Sequence, residues 1–270
     1  MNGEIFDSNK LLIIAGPCTL ESEALCETVA KVLVEIQKKH ERDLTIVFKA
    51  SFDKANRTDV HSQRGLGLEK CLAIFSEIKQ RYSLPVLTDV HLPQQATTVA
   101  HVCDVLQVPA FLCRQTDLLE AIAKTGKSIN VKKGQFLSPF DMKFVVEKLR
   151  YFGAKEIWQT DRGTTFGYGG LVVDMRSFPI MQQNHCPTIL DVTHSLQIPS
   201  SGAGTTGGDR QFALPLAKAA LAAGAQGLFL ETHPNPAEAW SDKATQLPLD
   251  TLPNFIEQCL RIWAVEHRNG

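Results

Sequence analysis

Eight short runs of aliphatic and β-branched residues recur along the chain, at 11–15, 45–48, 85–90, 105–112, 129–131, 156–159, 188–192 and 227–230. Helix-period stretches lie between most of them, at 23–38, 69–82, 117–124, 139–152, 209–223 and 252–265. Run starts are 20 to 40 residues apart, which is room for a crossover helix and a return in parallel. Strict alternation of strand and helix predicts an α/β fold. Eight units within 270 residues favour a closed (β/α)8 TIM barrel over an open doubly wound sheet, and no GxGxxG follows the first run to support a dinucleotide fold. A chain of this length can hold one core, so a single barrel domain over 1–270 is expected.

Charge narrows the classes of partner. The balance of 28 basic against 29 acidic residues gives −1, so no global field draws nucleic acid or a membrane surface. The apolar run at 11–15 is too short for a membrane span or a signal segment, and a cytoplasmic protein is expected. Seven cysteines without a CxxC pair read as thiols in a reducing compartment.

In a (β/α)8 barrel the active site is built where the strands end, so the residues just after each run carry the chemistry. They include Lys49, Ser51, Lys54, Asn56 and Arg57 after the second run, Asp89 and His91 after the third, and Arg114 and Gln115 after the fourth. Lys132, Lys133 and Gln135 follow the fifth, and Asp161 and Arg162 the sixth. Seven cations, Lys49, Lys54, Arg57, Arg114, Lys132, Lys133 and Arg162, are thereby expected at one mouth, an arrangement suited to two phosphorylated ligands or one bisphosphate. Runs seven, eight and one are neighbours in a closed barrel. Cys18, His194 and Glu231 should therefore converge, with Asp242 in reach as a fourth donor, and such a mixed set suits zinc, iron, cobalt or manganese. Cys18 as a buried small hydrophobe and His194 as a core histidine are the competing readings.

The longer motifs add a resemblance. AGPCTLES (15–22), FKASFDKANRT (48–58), PAFLCRQTDL (109–118), NVKKGQF (130–136), DRGTTFGYGGLVVDMRS (161–177), DVTHSLQ (191–197), ETHPNP (231–236) and SDKATQLPL (241–249) run in order over nearly the whole chain. This series resembles the 3-deoxy-D-manno-octulosonate 8-phosphate synthases. These are (β/α)8 enzymes that condense phosphoenolpyruvate with D-arabinose 5-phosphate, release inorganic phosphate and feed lipopolysaccharide synthesis.

The resemblance implies that Lys54, Lys132, Gln135 and Arg162 hold phosphoenolpyruvate, with Lys49, Ser51, Asp89 and Gln107 lining the same site. It places the pentose phosphate on Asn56, Arg57 and Thr58, the last replacing a common Ser, with Arg114 offered by a neighbouring subunit of a homotetramer. Lys54, Lys132, Asp89 and Asn56 are the expected catalytic group. Cysteine rather than asparagine at position 18 resembles the metal-dependent members, with Cys18, His194, Glu231 and Asp242 as implied ligands of a divalent ion. A sister synthase using erythrose 4-phosphate, a Schiff-base aldolase working through Lys132, and a non-catalytic sugar-phosphate sensor are the alternatives.

Overall fold

Side chains alternate across a strand, so in a sheet covered on both sides one set of residues faces the barrel axis and the other faces the helices. The structure is a computed structural model, and it describes residues 4–57, 59–166, 169–198 and 207–267. Among the described residues eight parallel strands form the barrel wall, β1 (Leu11–Gly16), β2 (Leu44–Lys49), β3 (Val86–Asp89), β4 (Val105–Val108), β5 (Ser128–Lys132), β6 (Ile157–Asp161), β7 (Thr188–Asp191) and β8 (Gly227–His233). Each pairs with the next, and β8 pairs back onto β1 from Leu12↔Gly227 to Gly16↔Glu231, which closes the barrel. Helices α1 (Glu23–Lys39), α2 (Leu68–Tyr82), α3 (Ala96–Ala100), α4 (Thr116–Ala123), α5 (Met142–Tyr151), α6 (Ser177–Gln182), α7 (Ala213–Ala222) and α8 (Leu252–His267) follow the strands in turn. This is the (β/α)8 barrel that the spacing predicts.

Two elements were invisible to periodicity. The helices α3 and α6 span five and six residues, too few turns to print a 3.6-residue pattern. The fourth run, expected as a strand over 105–112, ends at Val108. Pro109 offers no backbone N–H to continue a ladder, and Ala110–Leu112 forms a single 3₁₀ turn instead.

The inward positions divide the barrel into two halves. Leu12, Ile14, Val47, Leu87, Val105, Trp158, Ile189 and Phe229 form one buried apolar cluster on the axis. Two residues further along the same strands stand Lys49, Asp89, Gln107, Thr160, Asp191 and Glu231, all buried. A period of two thus sends both sets to one interior, apolar below and polar toward the strand ends. In β5 the polar layer starts earlier. Asn130 donates to Gln107 Oε1 at 2.9 Å and accepts from Thr160 Oγ1 at 2.5 Å, so this middle layer is internally satisfied.

Ile5 and Phe6 pack against the apolar end. Their backbone N–H groups donate to Glu156 at 3.3 and 2.8 Å, and Glu156 also accepts from Trp158 Nε1 at 3.0 Å and from the Ser128 hydroxyl. One carboxylate at the foot of β6 therefore fixes the segment that covers the base. Among the described residues no helix is long and apolar enough to cross a membrane.

Trp158 is fully buried on the axis. Trp158→Ala should destabilise the fold by about 3–5 kcal/mol, read as a lower urea midpoint with an unchanged slope.

Candidate active site

The floor of the polar half is an aromatic ring. Lys132 Nζ lies 3.0 Å from the centroid of Phe229 and Lys49 Nζ 5.3 Å from it, so both ammonium groups face the ring. Lys49 donates to Glu231 Oε1 at 2.7 Å and to the Cys18 carbonyl at 3.2 Å. Lys54 donates to Ser51 Oγ at 3.0 Å and stands 3.8 Å from the same Glu231 oxygen. Lys132 pairs with Asp191, and Arg162 donates to the Gln197 side-chain oxygen and to the His194 carbonyl at 3.4 Å. Asp89 Oδ2 meets His91 Nε2 at 2.9 Å.

These contacts set the protonation of the groups. Burial pushes the Asp191 carboxyl up, but His194, Lys132 and Arg162 outweigh it and hold Asp191 well below the usual carboxylate range. Glu231 is likewise held low, by His194, Lys49 and Lys54 acting against burial, and Asp89 by His91, Lys54 and Lys49. Burial brings Lys132 down to about 8, with Asp191 resisting. For Lys54 burial works downward too, but the surrounding Cys18, Glu231, Asp89 and Asp242 prevail and keep it charged.

The expectation of seven cations at one mouth is corrected. Lys49, Lys54, Lys132 and Arg162 gather in the interior, and Asp89, Asp191, Glu231 and Asp242 stand among them, four charges against four. Lys133 is fully buried but follows the inward Lys132, so alternation turns it away from the axis. It is ion-paired with Asp161 at 3.3 Å and donates to the Leu137 carbonyl at 3.2 Å and to Thr164 Oγ1 at 3.1 Å, which ties the loops after β5 and β6 together. Arg57 reaches the loop after β8, donating to the Trp240 carbonyl at 3.2 Å and to that of Gln63 at 3.0 Å. Asn56 and Arg114 are exposed, and among the described residues no hydrogen bond or ion pair joins the Arg114 guanidinium to the interior cluster. Thr58 lies outside the described residues. Gln107 and Gln135 are buried, and Gln135 Oε1, Asp89 Oδ1 and Arg162 Nε have no hydrogen-bond partner, so unspent polar valence remains in the mouth.

Beside this lattice, Cys18, His194, Glu231 and Asp242 converge with donor atoms all within 4.8 Å of one another. Backbone geometry brings Cys18 there. A Cβ on Gly16 would fall 1.9 Å from the Lys49 carbonyl oxygen, so glycine lets β1 run tight against β2. Pairing then continues past the strand ends, with the Ser51 N–H donating to the Cys18 carbonyl at 3.2 Å. Asp191 places His194: one carboxylate oxygen accepts the His194 backbone N–H at 3.0 Å, and the other meets Nδ1 at 2.8 Å. When the imidazole is neutral, its Nδ1–H donates to Asp191 and its Nε2 lone pair points into the cluster; when it is protonated, it is a cation between Asp191 and Glu231. Glu231 Oε2 is buried with no hydrogen bond, 3.4 Å from that Nε2. Two lone pairs facing each other across a buried gap, with a thiol and a second carboxylate beside them, are what a divalent cation fits. Burial pushes the Cys18 thiol up, and Asp242 and Glu231 raise it further, so it donates to Asp242 Oδ2 at 2.9 Å. A bound cation reverses that preference.

Two participants were absent from the expected site. Asp191 sits at a strand end, three residues before His194, which is a readable spacing for a histidine-orienting carboxylate. Gln197 carries no local signal, because its partners Arg162 and Asp242 are 35 and 45 residues away.

The DAHP synthetase I family matches residues 3–263. A protein of Dechloromonas aromatica named 2-dehydro-3-deoxyphosphooctonate aldolase is 52% identical over 246 residues, 90% of this chain and 88% of that one. Proteins of the same name from Desulfotalea psychrophila and Brucella ovis are each 49% identical over 254 residues, 94% of this chain and 90% and 91% of theirs.

Asp89, Asp191 and Glu231 are more acidic folded than unfolded, so the unfolded chain binds protons first on acidification. The stability they contribute is complete above about pH 5 and drains away as pH falls through the ordinary carboxylate range and below. The urea midpoint should fall steadily below about pH 5, and more shallowly in Asp89→Asn.

Proposed function

Since the chain belongs to the DAHP synthetase I family, we propose that it condenses phosphoenolpyruvate with D-arabinose 5-phosphate and water. The products are 3-deoxy-D-manno-octulosonate 8-phosphate and inorganic phosphate, a step of lipopolysaccharide core synthesis. The observation that carries this reading is the cation lattice of Lys49, Lys54, Lys132 and Arg162 set directly against the Cys18, His194, Glu231 and Asp242 cluster. The name of the relatives supports the sugar. A phosphooctonate has eight carbons, and subtracting the three of phosphoenolpyruvate leaves a five-carbon partner rather than erythrose 4-phosphate.

The reaction joins C3 of the enol to the aldehyde carbon of the sugar. Water adds at C2, and the bond between C2 and the phosphate oxygen then breaks. Lys54, Lys132, Gln135 and Arg162 bind the carboxylate and phosphate of phosphoenolpyruvate, with Lys49, Ser51, Asp89 and Gln107 shaping the same wall. The positive charges of Lys54 and Arg162 are in place before substrate arrives, so they stabilise negative charge developing on phosphate oxygen without reorganising. Asn56, Arg57 and Thr58 hold the sugar phosphate, and Asn56 and Lys54 orient the aldehyde against the enol. Lys132, brought down to about 8, can hold or release a proton at Nζ within the working pH range.

Cys18, His194, Glu231 and Asp242 would hold a divalent ion, one of zinc, iron, manganese or cobalt, with His194 neutral and Cys18 as thiolate. Bound there, such an ion supplies Lewis acidity beside the aldehyde site. It also changes the charge balance. Two positive charges and one thiolate, added to four cations and four carboxylates, leave the mouth at +1 and receptive to anions.

The barrel is proposed to act as one domain in the cytoplasm and to assemble as a homotetramer. Exposed Phe111 and Phe136, on the loops after β4 and β5, support an interface there, close in sequence to Arg114, which a neighbouring subunit would receive.

The deciding experiment is phosphate release from phosphoenolpyruvate with arabinose 5-phosphate, with erythrose 4-phosphate and with neither, in metal-supplemented buffer and in chelator. Release only with the five-carbon sugar and only with metal is expected; silence with both sugars would overturn the assignment. Cys18→Ala should lose bound metal together with most turnover, measured by metal analysis of the purified variant. Arg57→Ala should raise the KM for the sugar phosphate by about tenfold or more while the KM for phosphoenolpyruvate stays within about twofold.

A further inference from the structure

Gln197 stands between two parts of the site that no backbone element joins. Its side-chain Nε2 donates to Asp242 Oδ1 at 2.5 Å, and its Oε1 accepts from Arg162 Nη2. The partners dictate the orientation of this amide. A guanidinium can only donate and a carboxylate can only accept, so the flipped amide would lose both bonds. The other oxygen of Asp242, Oδ2, is the one that faces Cys18 Sγ at 2.9 Å and His194 Nε2 at 4.0 Å. Asp242 is thus divided, one oxygen toward the metal-type cluster and one toward Gln197.

Both ends are held in place. Gln197 pairs antiparallel with Gly208, and a Cβ on Gly208 would lie 2.2 Å from Thr245 Cγ2 and 2.8 Å from the Leu196 carbonyl oxygen. Only glycine allows the strand beside Gln197 to press onto the turn that carries Asp242. That turn is closed by the Thr245 and Gln246 N–H groups donating to the Asp242 carbonyl at 3.0 and 2.9 Å. Asp242 itself has φ of 50°, a left-handed conformation that aspartate adopts at a cost and that the surroundings must impose. Arg162 has few other anchors: its second acceptor is the His194 carbonyl at 3.4 Å, and its Nε has no partner.

We infer that Gln197 is a positioning residue that couples occupancy of the cation cluster to occupancy of the phosphoenolpyruvate site. The inference rests on the function proposed above. Hydrogen bonds in series polarise one another. An anion on Arg162 draws the guanidinium charge away from the amide oxygen, which weakens the amide's pull on Asp242 and leaves that carboxylate a stronger donor to a cation. Linkage makes the effect mutual: a cation on Asp242 must tighten anion binding at Arg162 by the same factor.

The test is a titration of the metal-free protein with Co2+ against a chromophoric chelator, with and without saturating phosphoenolpyruvate, following the thiolate-to-cobalt absorption band. The wild-type protein should bind Co2+ about fivefold or more tightly with phosphoenolpyruvate present. In Gln197→Met, which keeps the length and removes both hydrogen bonds, that factor should fall to within about twofold in a metal-free protein that still unfolds cooperatively. Gln197→Asn keeps the amide but cannot span both partners, and should lose the coupling in the same way if the methionine variant folds poorly. Equal coupling in wild type and variants would overturn the role of Gln197 while leaving the proposed reaction standing. A wild-type protein that binds neither Co2+ nor phosphoenolpyruvate would overturn both.

Discussion

Closure of β8 onto β1 is the constraint from which the site follows. The two strands pair in parallel over five positions, and the last pair sets Glu231 beside Gly16. Glu231 then lies on the axis within reach of Lys49, Lys54 and His194, and two residues past Gly16 comes Cys18. A slip of one residue would turn Thr232 inward, although its hydroxyl now donates to the Leu247 carbonyl, and would send Glu231 toward the helices. The apolar layer prevents the slip. Phe229 sits on the same face of β8 as Glu231 and is locked among Leu12, Ile14 and Ile189.

The barrel therefore separates its tasks by height. Its lower interior and the shell between strands and helices bury apolar side chains, the main source of favourable free energy in folding. The upper interior buries ion pairs, whose mutual attraction is largely offset by desolvation, so they stabilise the fold less than apolar side chains of the same volume would. Their value is preorganisation: four cations already stand in fixed positions, matched by carboxylates that keep them tolerable in the absence of ligand.

Asp191 shows how tightly the two halves of the site are joined. It pairs with Lys132 on the side of the lysines, and it caps and orients His194 on the side of the Cys18, His194, Glu231 and Asp242 cluster. Gln197 makes a second link further out, between Arg162 and Asp242. Two short hydrogen-bonded routes thus join the two clusters, one through Asp191 and one through Gln197.

Much of this was legible in the chain. Eight runs at regular spacing specify a closed parallel barrel because each run needs both faces covered and each return needs a crossover helix. Residues at the strand ends mark the mouth, and adjacency of strands seven, eight and one in a closed barrel brings Cys18, His194 and Glu231 together. What tertiary structure alone decided was the spending of charge. Strand alternation already sends Lys132 and Lys133 to opposite faces, but the partners they meet there, Asp191 and the ring of Phe229 for one and Asp161 for the other, are set only by the closed barrel. Gln197 gains its place only when the loops after β6, β7 and β8 meet. Local pattern records which face a residue occupies, whereas pairing across loops 35 or 45 residues apart depends on where the closed barrel sets their ends.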